Sequence, residues 1–139
     1  TVNLMRISTI SVAEHFILLI LSLARKLTHA HAAALARSGC NDGSKSEGPP
    51  RTSFNWGGIQ NIQVVSGKTL GMVGLGENGL EIARRAYCLG MKIAYYQRHR
   101  LPEKLEASVG AVYHRSLVDL MKGADFVGIS VPYNASTKN

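Results

Sequence analysis

The chain has 139 residues, and this length allows one globular domain with a hydrophobic core but not two full domains. Because 45% of the residues are hydrophobic and 18% are charged, disorder and fibrous repeats are excluded as default classes. Lys and Arg outnumber Asp and Glu by 16 to 9, which gives a net charge of +7. The basic residues occur in scattered pairs without interleaved aromatic residues, so we expect no nucleic-acid partner.

The first predicted element is a helix from Ser11 to Leu27, in which Ser11 and Glu14 have the spacing of a capping box. This helix is apolar almost all round, so we expect it to pack against more than one neighbour or against a partner chain. Its apolar run from Phe16 to Ala24 is shorter than the roughly 20 residues of a membrane span. We therefore expect neither a membrane segment nor a cleaved signal. Residues 38–66 are rich in Gly, Pro and polar residues and are predicted to form a loop or arm.

From Gly67 onward, the pattern alternates between strand and helix. The predicted strands lie at residues 69–73, 91–96, 111–113 and 126–131, and the predicted helices lie at 80–89, 102–108 and 116–122. Such alternation indicates a parallel sheet with right-handed crossovers. We expect the spatial order 3-2-1-4, with all four strands parallel.

A glycine motif lies between the first of these strands and the helix that follows it. Gly74, Gly76 and Gly79 satisfy G-x-G-x-x-G. In a dinucleotide-binding loop, the first glycine permits a tight turn, the second lets the backbone approach a pyrophosphate, and the third lets the helix pack on the strand. The N-terminus of the helix then favours the phosphates. The motif in this context predicts dinucleotide binding, and a glycine-rich turn in an unrelated α/β protein is the alternative.

The end of the second strand of such a sheet usually distinguishes NAD from NADP, because an Asp or Glu there accepts hydrogen bonds from the ribose. In this chain the position is the neutral Gln97, with Arg98 and Arg100 directly after it. Arginine pairs well with a phosphate dianion, so the sequence favours NADP over NAD. The alternative is that both arginines are solvated loop residues.

The run GKTLGMVGLGENGLEIARRAYCLGMKIAYYQRHR, followed by GAVYHRSLVDLMKGADFVGISVPYNAST, resembles the cofactor domain of the D-isomer-specific 2-hydroxyacid dehydrogenases. Within that family it is most similar to the glyoxylate/hydroxypyruvate reductase branch. The upstream run SVAEHFILLILSLAR resembles the long helix that precedes the glycine loop in these enzymes. The resemblance implies an α/β fold of the Rossmann type, with a partial doubly wound parallel sheet of about four strands after a long apolar helix. It also implies NADP or NAD as cofactor.

The resemblance further implies roles for individual residues. Glu77 and Asn78 stand where backbone N–H groups contact the pyrophosphate, and Val131 and Pro132 match a strand-end pair that lies against the cofactor. Thr137 matches a family threonine just beyond that pair. The full set of cofactor-binding candidates is Gly74, Gly76, Glu77, Asn78, Gly79, Gln97, Arg98, Arg100, Val131, Pro132 and Thr137.

The chain also departs from the family pattern. Asn78 replaces a branched apolar residue, a substitution expected to cost about 1–3 kcal/mol if its amide is buried without partners. Ser130 replaces the more usual His or Asn, and residues 41–60 look like an insertion. The Arg, Glu and His that perform catalysis in the family are expected downstream of Asn139, so we name no catalytic residue, including His99 and His114. The substrate domain is expected to be absent as well.

Two functional hypotheses follow. The first is the cofactor domain, inactive alone, of an oxidoreductase that reduces glyoxylate, hydroxypyruvate or a related 2-oxo acid by hydride transfer. The second is a non-catalytic nucleotide-binding protein that dimerises and acts as a sensor or interaction module. We expect a small 2-oxo or 2-hydroxy acid as the partner of the full-length enzyme, a homodimer, and no membrane partner. The expected divisions are residues 1–37 (helical region), 38–66 (arm) and 67–139 (partial cofactor domain).

Cysteine and histidine spacing predicts neither a disulfide framework nor a metal site. Cys40 and Cys88 lie far apart and belong to no CxxC motif, which favours a reducing, cytoplasmic compartment. His29 and His31 would point about 200° apart on a helix, so we interpret them as surface residues.

Overall fold

The structure is a computed structural model that describes residues 4–38, 59–135 and 137–138. Most of the insertion expected at residues 41–60 therefore lies outside the described residues. The helices are α1 (Leu4–Arg25), α2 (Leu27–Ser38), α3 (Glu77–Cys88), α4 (Glu103–Val109) and α5 (Leu117–Gly123). The strands are β1 (Thr69–Val73), β2 (Lys92–Tyr96), β3 (Ala111–Tyr113) and β4 (Phe126–Ile129).

The four strands form one parallel sheet in the order β3-β2-β1-β4, which confirms the predicted topology. Val73, the last residue of β1, lies opposite Tyr96 of β2 and Ile129 of β4. The carboxyl ends of these three strands therefore meet at one edge of the sheet. The chain leaves β1 toward β2 on one side and reaches β4 on the other, so a topological switch point lies between β1 and β4.

The core lies where the central strands pack against helices. Leu70 and Met72 of β1 and Ile93 of β2 are almost completely buried. Ile82 and Ala83 on α3 are buried as well. Burial of each large apolar side chain stabilises the fold by about 1.5–3 kcal/mol, so the two central strands and α3 form the rigid base of the glycine loop.

The chain divides into two compact units. The first consists of Thr1–Ile20 together with Val65–Asn139, and it contains the sheet. In this unit, a Cβ atom added to Gly128 of β4 would collide with the ring of Phe16 on α1, so the helix and the strand pack closely. The second unit is Leu21–Val64, which contains α2. The divisions expected at residues 1–37, 38–66 and 67–139 stay a prediction.

Two expectations about α1 are wrong, namely its start at Ser11 and its length. The helix begins at Leu4, so Ser11 lies within it and cannot be its N-cap. Thr9, upstream of Ser11, is buried and extends the packed face of the helix. The helix is also longer than the apolar run suggested. By length and composition, the stretch Ile7–Arg25, with a mean hydropathy of 1.9, could cross a membrane. Soluble core helices and signal sequences pass the same test.

An apolar stripe is exposed on α1. Val12, Leu19 and Leu23 lie on one side of the helix, since seven and eleven residues are close to whole numbers of turns. About half of the surface of Val12 and Leu19 is exposed, and Leu23 is 72% exposed. This matches the expectation that the helix leaves apolar surface uncovered in a single chain.

Smaller differences concern the ends of elements. The helix after the glycine motif begins at Glu77 and not at Leu80, so the last part of the motif is its first turn. Strand β4 ends at Ile129 and not at Val131. Ser130 still donates its backbone N–H to Val73 O at 2.9 Å. Pairing then stops two residues before Pro132, which has no N–H to donate.

Candidate cofactor-binding site

The first and third glycines of the loop are required by close packing. Gly74 has a φ of +87°, and a Cβ atom there would collide with the backbone oxygen of Ser130 and come within 2.9 Å of Val131 Cγ1. A Cβ atom on Gly79 would lie 2.7 Å from Gly74 O. Both glycines therefore let β1, the start of α3 and the end of β4 approach one another.

Gly76 has a different role, because a Cβ atom there would meet no atom within 4 Å. Its φ of −74° is one that any residue adopts, so neither backbone strain nor crowding within the chain requires glycine. Gly76 is the N-cap of α3, and no side chain caps this helix. The open space at Gly76 and the uncapped backbone N–H groups of the first turn fit a pyrophosphate.

The glycine loop lies at the carboxyl ends of β1, β2 and β4. Val131 contacts this loop beside Gly74. The crevice at a topological switch point is where open α/β sheets bind their ligands. The structure thus brings Val131 together with the glycines at the expected place.

Gln97 joins the glycine loop to the loop that follows β2. Its Oε1 accepts the backbone N–H of Leu75 at 3.0 Å, and its Nε2 donates to His99 O at 2.6 Å. Tyr113 donates its hydroxyl to Gln97 O at 3.3 Å. Gln97 therefore fixes residues 97–101, here called the 97–101 loop, against the glycine loop.

The two arginines of the 97–101 loop have different surroundings. Arg98 is exposed and has no hydrogen-bond or ion-pair partner among the residues that the structure describes. Arg100 forms a bidentate pair with Glu106 of α4, with Nε 2.9 Å from Oε1 and Nη2 2.8 Å from Oε2. The Arg100 guanidinium also lies 6.0 Å from the centre of the Tyr113 ring.

Sequence reasoning missed a buried polar network behind this loop. Glu106 is buried, and its Oε1 also accepts the hydroxyl of the fully buried Tyr95 at 2.6 Å. The Tyr95 oxygen in turn accepts the backbone N–H of Leu101 at 2.9 Å. One sequence signal could have indicated that Glu106 is buried. It lies three residues, close to one helical turn, before the apolar Val109, so the two side chains share one face of α4.

The network shifts the pKa values of its members, including Glu106 and Tyr95. Hydrogen bonds from Arg100 and Tyr95 lower the pKa of Glu106 to about 2, against the opposing effect of desolvation. Burial, and then the hydrogen bond to Glu106, raise the pKa of Tyr95 to about 12. Glu106 is therefore ionised and Tyr95 is neutral near pH 7.

We expect this carboxylate to make stability depend on pH. Its folded-state pKa is lower than its ordinary value, so its contribution is complete above about pH 4.5 and disappears as pH falls toward 2. Glu106→Gln should lower the melting temperature by about 5 °C or more at pH 7. The difference from the unmodified protein should shrink steadily in melts recorded from pH 6 to pH 3.

Glu103→Gln is the matched control. Glu103 lies on the same helix, is exposed, and forms no hydrogen bond or ion pair within the described ranges. This control should melt within about 1–2 °C of the unmodified protein throughout. If the two variants had the same pH dependence, Glu106 would not be the group responsible.

The remaining cofactor-binding candidates are Glu77, Asn78, Pro132 and Thr137. Glu77 and Asn78 are both exposed in the first turn of α3. The cost foreseen for a buried Asn78 amide is therefore not incurred. Thr137 donates its hydroxyl to Pro132 O at 2.6 Å and closes the loop after β4. No hydrogen bond within the described chain joins Pro132 or Thr137 to the glycine loop, and no group of His, Cys, Asp or Glu side chains there could hold a metal ion.

Comparisons with known proteins agree with this geometry. Residues 17–139 match the family model of the D-isomer specific 2-hydroxyacid dehydrogenase, NAD binding domain. A glyoxylate reductase of Thermococcus litoralis is 38% identical over 86% of this chain and 33% of its own length. A glyoxylate reductase of Thermococcus kodakarensis is 49% identical over 53% of this chain and 22% of its own length. The D-mandelate dehydrogenase of Rhodotorula graminis superposes with a TM-score of 0.72 and 33% identity over 91% of this chain and 34% of its own.

The chain therefore belongs to the D-isomer-specific 2-hydroxyacid dehydrogenase family and constitutes an NAD-binding domain of the Rossmann type. NAD or NADP fits as the cofactor of such a domain. The match begins at Ile17, so the second half of the apolar helix α1 is part of the domain. The chain spans about a fifth to a third of the length of the curated relatives described above.

Proposed function

We propose that this domain serves an NADP-preferring reductase that transfers a hydride to a small 2-oxo acid such as glyoxylate or hydroxypyruvate. The observation that carries the cofactor preference is the exposed Arg98 beside the neutral Gln97 at the end of β2. The amide of Gln97 is bound to Leu75 and His99. Because this side chain is neutral, it places no fixed negative charge at this position to repel a 2′-phosphate. The glyoxylate reductases among the relatives support the substrate class.

The first test is a titration of the protein with NADP and NAD. One or two charge-assisted hydrogen bonds to the 2′-phosphate should make NADP bind at least about tenfold more tightly. The advantage should shrink as salt is raised from 50 to 500 mM, since exposed charges are screened. Equal affinities at low salt would mean that Arg98 is a solvated loop residue and would contradict the proposed preference.

We further propose that the 139-residue chain binds the cofactor without catalysing hydride transfer. In this proposal the proton donor and the carboxylate-binding arginine come from outside the chain, and His99 and His114 are not catalytic. The chain should bind NADPH yet show no oxidation of it with glyoxylate or hydroxypyruvate. A longer protein that contains this domain should oxidise NADPH with one of these acids. If that protein only bound nucleotide, the non-catalytic sensor would be the better interpretation.

The proposal includes a homodimer and a reducing, cytoplasmic setting. The stripe formed by Val12, Leu19 and Leu23 is the surface that we assign to a second copy of the chain. The exposed free thiol of Cys88 is compatible with a reducing compartment.

Leu19→Lys tests the dimer, because it places a charge in the middle of the stripe. We expect the dissociation constant of the dimer to rise by about 100-fold or more, as burial of an unpaired charge is costly. Sedimentation velocity over a concentration series would measure this change. Ser11→Lys adds the same charge to an exposed position of α1 outside the stripe and should leave the dimer intact. A monomeric unmodified protein at all concentrations would contradict the assignment.

A further inference from the structure

We propose that Arg98 alone of the two arginines contacts the 2′-phosphate of the cofactor. Arg100 is instead a positioning residue, which holds the 97–101 loop in place through Glu106 and Tyr95. This inference rests on the proposed binding of NADP, and it separates two residues that the sequence presents as equivalent.

The geometry of Arg100 is the first reason. Its Nε and Nη2 atoms both donate to the Glu106 carboxylate, at 2.9 and 2.8 Å. This is the planar bidentate arrangement that a guanidinium would otherwise offer to a phosphate. A phosphate that bound the same edge of Arg100 would have to displace the carboxylate.

The burial of Glu106 is the second reason. The Glu106 side chain is only 8% exposed, whereas that of Arg100 is 63% exposed. If Arg100 turned away to a ligand, the carboxylate would remain buried without its cation. Removal of one partner from a buried charge pair is strongly unfavourable, so the pair resists exchange.

A continuous set of hydrogen bonds joins this pair to the loop. Glu106 accepts the Tyr95 hydroxyl at 2.6 Å, and Tyr95 accepts the backbone N–H of Leu101 at 2.9 Å. Because Tyr95 is a fully buried residue of β2, the loop is attached to the sheet itself. The pair and the tyrosine therefore fix the backbone that carries Arg98.

Arg98 has none of these restraints. Its side chain is exposed and has no partner in the part of the chain that the structure describes, so contact with a phosphate breaks no existing bond. It directly follows Gln97, whose amide holds the loop beside the glycine motif through Leu75. Arg98 is thus the guanidinium that a 2′-phosphate can recruit without cost to the fold.

The test compares two adenosine probes on the 139-residue chain by calorimetry. The probes are 2′,5′-ADP, which has the additional phosphate, and 5′-AMP, which lacks it. Arg98→Ala should weaken 2′,5′-ADP by about tenfold or more and change 5′-AMP by less than about twofold. Arg100→Ala should weaken both probes by the same factor, about three- to tenfold, because it loosens the loop and not the phosphate contact. Arg100→Lys, which keeps one ion pair to Glu106, should recover part of the 5′-AMP affinity.

Lys122→Ala is the matched control, since it removes one positive charge from an exposed side chain at the end of α5, next to the amino end of β4. The affinity for each probe should change only by the small amount that follows from the loss of one distant positive charge. A selective loss of 2′,5′-ADP binding in Arg100→Ala, equal to that in Arg98→Ala, would overturn the inference. Equal losses of both probes in Arg98→Ala would overturn it as well.

Amide hydrogen exchange distinguishes failure of the inference from failure of the proposed function. Exchange at the Leu101 amide should accelerate at least about tenfold in Arg100→Ala and in Tyr95→Phe, and it should not change in Arg98→Ala. If the unmodified chain bound neither probe, the proposed function would fail while exchange still decided whether Arg100 holds the loop. Unchanged exchange at Leu101 in Arg100→Ala would overturn the positioning role.

Discussion

Gly76→Val should abolish cofactor binding and leave the fold intact. A Cβ atom at Gly76 meets no protein atom within 4 Å, and the φ of −74° suits any residue. The added side chain therefore occupies only open space at the N-terminus of α3, where we propose that the pyrophosphate binds. We expect the dissociation constants for NADP and NAD to rise by about 100-fold or more. Calorimetric titration would measure this, with a melting curve to verify that the variant is folded.

Two other glycine substitutions make this experiment specific. Gly123→Val is the control, because a Cβ atom there also meets nothing within 4 Å, but at the end of α5. It should bind the cofactor normally. Gly74→Ala should instead destabilise the domain by about 1–3 kcal/mol or more, since its φ of +87° and the Ser130 oxygen both exclude a Cβ atom. Normal binding by Gly76→Val would mean that the cofactor does not approach this loop.

The different roles of these glycines illustrate how much the sequence could predict. Their positions between a strand and a helix were sufficient to predict the turn at Gly74 and the close packing at Gly79, and the approach of a pyrophosphate to Gly76 stays a prediction. The sequence pattern was also sufficient to predict the strand order, because alternating strands and helices with right-handed crossovers leave few possible topologies. These inferences depend on local pattern and on general rules of chain connection, and both can be read from one sequence.

The features that sequence reasoning missed depend on contacts between distant residues. Helix α1 begins at Leu4 and buries Thr9, which a local capping pattern at Ser11 does not reveal. The bond from Gln97 to Leu75 exists because β1 and β2 end at the same edge of the sheet. In such cases the amino-acid type indicated a plausible role, and tertiary packing determined the partner.

Arg100 is the clearest example. From the sequence, Arg98 and Arg100 were equivalent candidates for a phosphate. In the structure, α4 returns Glu106 to the 97–101 loop, and the Arg100 guanidinium pairs with it. Periodicity alone could not distinguish the two arginines, because the difference arises from where α4 places the Glu106 carboxylate.

The largest change in cofactor preference is expected from the double substitution Gln97→Asp with Arg98→Ala. Removal of Arg98 eliminates the proposed charge-assisted contact with the 2′-phosphate, which would be worth about 1.5–3 kcal/mol. The shorter, charged Asp at position 97 repels the phosphate and can accept hydrogen bonds from the ribose hydroxyls of NAD. Together these effects should convert the proposed preference for NADP, about tenfold, into a comparable preference for NAD. The ratio of the two dissociation constants should therefore change by about 100-fold.

The two single variants separate attraction from repulsion. Arg98→Ala should weaken NADP alone and make the two affinities similar, whereas Gln97→Asp should both weaken NADP and strengthen NAD. Gln97→Asp also shortens the side chain that now accepts the Leu75 N–H at 3.0 Å, so part of the NAD gain is offset by a looser glycine loop. Gln97→Ala measures this loosening by itself, because it removes the same bond without adding charge. If the double variant kept the preference for NADP at low salt, another group would have to recognise the 2′-phosphate.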